Sequence, residues 1–179
     1  VLASFGHLLP GLIRDVRLVE VYCLPEAFRI DAATARSLFC DTVAQEFAAA
    51  APLLATMPTG WDTAIEVAFK AGVTDPVGIT ATEACKLELD LEGQVTDLVQ
   101  SAKQYVIWTV RPLSTEERQK LGASLFNPLI QRAEIKSSNE IAVGFRFATR
   151  YKGVQVTAVP DPEWFDVVDA SYDDLFRIS

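Results

Sequence analysis

Apolar and polar residues alternate along this chain with two different periods, and the switches between them outline most of its elements. Asp15-Val-Arg-Leu-Val-Glu-Val-Tyr-Cys-Leu24 has the β-branched content of a strand. Trp61-Asp-Thr-Ala-Ile-Glu-Val-Ala-Phe69 alternates at Ile65, Glu66 and Val67 and reaches Phe69, the period of a half-buried strand. After the loop Lys70-Ala-Gly-Val-Thr74, Asp75 can cap a helix and Pro76 suits its first position, where a missing N–H costs nothing. The pattern predicts that helix from Pro76 to Leu89, with Ala81, Ala84 and Cys85 as a small-residue face able to lie close to a sheet. A strand is predicted from Lys103 to Val110. Ser114-Thr-Glu-Glu117 then reads as a capping box, in which Ser114 and Glu117 each satisfy an orphan backbone donor. Leu121 and Leu125 share one face of the helix that follows, and a closing strand is predicted from Leu129 to Lys136, with Ile130 and Ile135 its clearest strand formers. The order is β-α-β-α-β.

Half of this unit recurs about 86 residues earlier: Arg17 to Lys103, Tyr22 to Trp108 and Gln45 to Gln131 are each 86 apart, and Leu38 to Leu125 is 87. In the first copy the strand from Asp15 to Leu24 is followed by a polar or helical segment and then by Leu38-Phe-Cys-Asp-Thr-Val-Ala-Gln45. In the second, Ser101 to Val110 is followed by a helix and Leu125-Phe-Asn-Pro-Leu-Ile-Gln131. Duplication stands against chance, because identity is low. Subtracting 86 from the strand at Trp61 to Phe69 places its counterpart ahead of residue 1, so the first unit is expected to be incomplete. A starting Val in place of Met agrees with that, although removal of a leader would look the same. The expected organisation is a first unit over 1–57, a second over 58–139 and a connector over 140–179. The expected fold is α+β, two β-α-β-α-β units forming a pseudo-twofold pair with antiparallel sheets.

Composition narrows the functional classes. A net charge of −8 and scattered basic residues argue against a nucleic-acid partner, which needs clustered Lys and Arg. With 50% hydrophobic residues the chain can supply a core for one domain or a pair of small ones. The longest apolar run, Phe47 to Met57, is broken by Pro52 and too short to span a bilayer, so no membrane partner is expected. Three cysteines with no close pair suggest a reducing, cytoplasmic setting.

Each candidate chemical feature has a simpler reading. Cys23 and Cys85 sit within apolar patterns and Cys40 follows Leu38-Phe39, so they read as buried small residues. A cysteine nucleophile wants a base, and His7, the sole histidine, has no carboxylate or cysteine at ligand spacing. Gly72-Val-Thr-Asp-Pro-Val-Gly78 delivers the chain to a helix start, as a phosphate loop would, but lacks the Gly-x-x-x-x-Gly-Lys-Ser/Thr pattern; a turn plus a cap explains it. No catalytic, cofactor-binding or metal-ligating residue is therefore assigned. The segment Asp161 to Asp174 interleaves Trp164, Phe165 and Tyr172 with carboxylates but lacks metal-loop spacing. With Val167, Val168, Leu175 and Phe176 it reads as a segment that packs, on its own domain or on another. Ile141 to Val159 reads as a strand pair or a connecting loop.

A family resemblance gathers these pieces. Ala64-Ile-Glu-Val-Ala-Phe-Lys-Ala-Gly-Val-Thr-Asp-Pro-Val-Gly-Ile-Thr-Ala-Thr-Glu-Ala84 resembles the opening strand, turn and helix of the small PurS-type subunit of phosphoribosylformylglycinamidine synthase, in particular its fused version at the N-terminus of the long-chain synthases. Gly72 to Gly78 carries most of the specificity. Asp15 to Tyr22 is similar to the family's second strand, and Leu38 to Gln45 and Leu125 to Gln131 are similar to its last helix and strand. Phe165 to Ser179 looks like the start of the linker into the synthase core. The Pro25 to Ile30 region and the cysteine within Val16 to Leu24 depart from the pattern.

The resemblance implies two fused copies that look like the subunit's dimer made in one chain, and a domain that helps hold a glutaminase against the synthetase core. The full enzyme makes formylglycinamidine ribonucleotide from formylglycinamide ribonucleotide, glutamine and ATP in purine biosynthesis. It implies ATP and Mg for the full synthase, none in this segment, with the remainder of the synthase and a glutaminase domain or subunit as partners. Catalytic residues would lie downstream or on a partner chain, and contact residues on the exposed faces of the two second helices. The competing class is a free-standing regulatory module that binds an amino acid or nucleotide between paired units. A stand-alone enzyme is disfavoured, because no pair of polar groups stands at catalytic spacing.

Overall fold

The computed structural model describes residues 7–49, 54, 57–91 and 98–147. Over these it is an α+β fold on one four-stranded antiparallel sheet, formed by β1 (Ile13–Cys23), β2 (Thr63–Phe69), β3 (Gln100–Thr109) and β4 (Gln131–Ser137) in the order β1-β3-β2-β4. Four helices accompany it: α1 (Ala32–Phe39), α2 (Pro76–Glu88), α3 (Thr115–Leu125) and the short α4 (Ser138–Ala142). The β-α-β-α-β order read from the pattern is therefore present as β2-α2-β3-α3-β4, with β3 and β4 flanking β2.

The alternation at Ile65, Glu66 and Val67 describes the two faces of β2 but not their exposure. Every residue from Thr63 to Ala68 is buried, and Glu66 is 0% exposed, because both faces of this central strand are covered. On one face Ile65 and Val67 join Ile107, Leu113, Leu121 and Leu9, with Leu8 and Leu125 packed alongside. Further along that side Phe28, Ala81, Cys85 and Val99 form a second cluster, with Leu38, Phe39, Leu89 and Leu91 against it. The Tyr22 and Phe39 rings stack at 4.6 Å and join β1 to the end of α1. On the opposite face Ala64 packs with Val19, Val106, Trp61, Leu54 and Phe147.

Helix starts follow their sequence signals. Asp75 accepts from the Gly78 amide at 2.9 Å, with Pro76 in the first turn. Ser114 and Glu117 form the full capping box. The small-residue face of α2 is Gly78, Ala81, Thr82 and Cys85; Ala84 is only half-buried.

Several boundaries differ from expectation: β1 begins at Ile13 and not Asp15, and β3 at Gln100 and not Lys103. β4 begins at Gln131, not Leu129: the Leu129 and Ile130 amides bond to Asn127, through its side-chain and backbone oxygens, and this holds both residues in a turn. At the far end Ser137 opens a second capping box, so Ile141 and Ala142 lie in α4 and not in a strand pair. The rest of that segment, 148–159, and the acidic stretch over 161–179 lie outside the described residues.

The two segments related by the 86-residue offset meet in the sheet as neighbours, β1 and β3, with one correction to the offset. Arg17 pairs with Val106, beside Ala64, whereas Lys103 pairs with Glu20 and Val67. Arg17 and Lys103 thus lie on opposite faces, and so do Tyr22 and Trp108, because facing residues of an antiparallel ladder share a face. An 86-residue offset is consequently one residue out within the strand. Leu18 faces Tyr105, 87 residues on, the same offset that relates Ser37-Leu38-Phe39 to Ser124-Leu125-Phe126. Cys40 is then an extra residue, after which 86 holds.

The turns beyond it are built alike. The Asp41 amide donates to Gln45 Oε1 at 2.8 Å, and the Val43 amide to Asp41 Oδ1 at 2.9 Å. The Asn127 amide donates to Gln131 Oε1 at 2.9 Å, and the Leu129 amide to Asn127 Oδ1 at 3.0 Å. In both, the fourth and fifth residues donate to the first carbonyl, at 3.2 and 2.8 Å.

Candidate functional site

The residues singled out for chemistry do not converge. Cys85 is buried beneath α2, and burial raises its thiol pKa, which favours the unreactive form. Cys23 and Cys40 are half-buried, and the three thiols are free. His7 is exposed at the end of a helical turn. Asp75, the one acid in the Gly72 to Gly78 loop, is engaged with backbone and Ser101, so that loop acts as a helix start. Among the described residues no group of His, Cys, Asp and Glu is placed to hold a metal ion, and no helix is long and apolar enough to cross a membrane.

A cleft of about 320 Å³ opens at the end of the sheet, between Trp61-Asp62, Arg111-Pro112, Arg118 and Ser137 to Asn139. Its charges are matched internally. Arg111 makes a two-pronged contact with Glu117 at 2.7 and 2.9 Å, which holds the Glu117 carboxyl down at about 2. Arg118 reaches Asp62 at 3.5 Å, and Asp62 also accepts from the Thr63 hydroxyl at 2.6 Å. The Arg118–Asp62 pair ties α3 to the start of β2 and the Arg111–Glu117 pair ties it to the segment after β3, while the buried Arg118 Nε has no hydrogen-bond partner among the described residues.

A polar network that pattern reading missed crosses the covered face of the sheet. Glu66 accepts from Gln104 Nε2 at 2.8 Å and from Arg132 at 3.1 Å; Arg132 also reaches Glu134 at 3.5 Å, and Lys136 reaches Glu134 at 3.1 Å. Glu66 and Glu134 stand directly opposite each other, an arrangement that repels unless a cation bridges it, as Arg132 does. Burial pushes the Glu66 carboxyl up, and the Gln104 and Arg132 contacts oppose it. The signal was available: Arg132, Glu134 and Lys136 alternate along one predicted strand.

The exposed faces of α1 and α3, the expected contact surfaces, carry Arg36 and Ser37, and Glu116, Gln119 and Lys120. Exposed aliphatic residues lie elsewhere. Val43 and Leu129, at matching places in the two repeated turns, are 96% and 81% exposed, and Val77, Ile79 and Leu87 line the outside of α2. Comparison with family models, with curated proteins and with solved structures found no match.

Proposed function

We propose that this chain is an assembly domain similar to the N-terminal PurS-like region of phosphoribosylformylglycinamidine synthase, made of two related units that hold a glutaminase against a synthetase core. The observation that carries this reading is the pair of turns at Asp41 to Gln45 and Asn127 to Gln131, built by the same four hydrogen bonds. They follow strands whose antiparallel ladder has Leu18 facing Tyr105, a register that is compatible with a twofold axis through that pair. Leu38 and Phe39 pack with Leu89 and Leu91, and Leu125 and Phe126 pack with Leu8 and Leu9, which is in keeping with two related units. The synthase assignment itself is supported by the resemblance of Ala64 to Ala84, which forms β2, the glycine loop and α2. A scaffold also accounts for a cleft whose charges are spent on internal pairs.

The test is the natural polypeptide that contains Ala64 to Pro76. The expected result is a mass several times that of this chain, with glutamine-dependent amidine formation that needs ATP and Mg. Charge reversal on the outer face of α3, at Glu116 and Lys120, is expected to lower glutamine-dependent turnover while ammonia-dependent turnover persists. A polypeptide that ends near Ser179 and binds glutamine or a purine nucleotide saturably would instead make this a regulatory module.

A further inference from the structure

We infer that the outer edge of β1 is a docking edge for one more antiparallel strand, a polypeptide segment with the alternation of Thr63–Phe69 and an acidic residue at its centre. The inference rests on the two-unit reading above. β3 is paired on both sides, by β1 and by β2, whereas β1 pairs only with β3 among the described residues. Its edge amide at Val16 donates to the carboxylate of Asp15 at 2.9 Å, not to a neighbouring strand, and Leu18 is left 44% exposed.

The register follows from the repeat. β2 lays Ile65, Glu66 and Val67 against Tyr105, Gln104 and Lys103. An offset of 87 carries those three to Leu18, Arg17 and Val16. A strand docked in the same way sets an aliphatic residue on Leu18, another on Val16, and a carboxylate on Arg17. That carboxylate meets a guanidinium that is about half exposed, lies over the Trp108 ring at 5.3 Å and is held at its Nε by Asp15 at 3.6 Å, which leaves its outer nitrogens for the incoming acid. Charge and apolar pattern thus agree at three successive positions.

A second consequence concerns Gln45 to Ala49, which follow the first turn without forming a strand. Their counterparts from Gln131 onward form β4, which pairs with β2 and not with β3. With no strand beside β1, Gln45 to Ala49 have no ladder to join, and Gln45 Nε2 reaches Glu20 at 3.2 Å instead. The docked strand fills that place and offers them its far edge.

The probe is a synthetic peptide with the sequence of Trp61 to Lys70, added to the full chain and followed by amide hydrogen exchange and calorimetry. The expected result is saturable binding with slowed exchange at 15–20 and 45–49 and none at β4. Arg17→Glu is expected to weaken binding about fivefold, as a facing charge pair of about 1 kcal/mol implies, and a peptide with Lys in place of its glutamate to recover it. The Lys peptide is also measured against the unaltered chain, where it must bind more weakly, so the result does not depend on the variant folding. Absence of saturable binding, protection at β4, or a chain already paired through β1 with a second copy would each overturn the inference. The synthase reading is tested by turnover of the natural polypeptide, so either can fail alone.

Discussion

The carboxylate of Asp75 holds Ser101 through two hydrogen bonds, to its amide at 2.6 Å and its hydroxyl at 2.9 Å, while capping α2 through the Gly78 amide. One side chain thus closes a helix start and pins it to the first turn of a strand 26 residues further along the chain. Asp75→Ala removes a cap worth about 1 kcal/mol and strands partly buried donors, for a total of about 2–3 kcal/mol. Asp75→Ser keeps the cap but is too short to reach Ser101, so it is expected to recover roughly half of that. Urea unfolding of both variants measures the difference.

Gly78 and Gly122 both lie beneath helices, yet substitution separates them. A β-carbon at Gly78 would strike the Val99 carbonyl and the Asp75 carboxylate, both fixed, so Gly78→Ala is expected to cost about 2–3 kcal/mol. At Gly122 the obstacle is the Ile135 terminal methyl at 2.7 Å, which can rotate away. Gly122→Ala also gains up to about 1 kcal/mol of helix propensity, so it is expected to be close to neutral. Paired melting temperatures settle the contrast.

Glu66 sets a pH dependence of unusual sign for a carboxylate. Burial raises its folded pKa, so between the ordinary glutamate value of about 4.3 and that raised value the native state holds a proton that the unfolded chain has lost. Its contribution to stability is full below the ordinary value and is lost as pH rises through the folded one. Glu66→Gln is expected to abolish that decline, read as the pH profile of stability for the two proteins.

Glu117 behaves in the opposite way. Arg111 and the Ser114 amide hold its carboxyl at about 2, so its contribution is present above the ordinary glutamate range and is lost as pH falls through about 2. The pair lies at the surface, with Arg111 about half exposed, so the effect is expected to be small and to shrink further in molar salt. Comparison of Glu117→Gln with the unaltered chain over acid titration, at low and high salt, checks both statements.

The helix starts at Asp75 and Ser114 and the strand at Thr63–Phe69 were legible in the chain because caps, proline and period-two patterning act within a few residues of one another. The likeness of Leu38 to Gln45 and Leu125 to Gln131 was legible too, but the strand offset was one residue out, since side-chain spacing alone does not say which face meets the core. Only the ladder, with Leu18 facing Tyr105, decides that. Tertiary structure likewise decided that Glu66 is buried and bridged by Arg132, and that Leu129 and Ile130 turn before β4 begins. Those outcomes depend on contacts between residues far apart in the chain, whose register and burial are set by the other strands of the sheet. Local propensity carries no record of them.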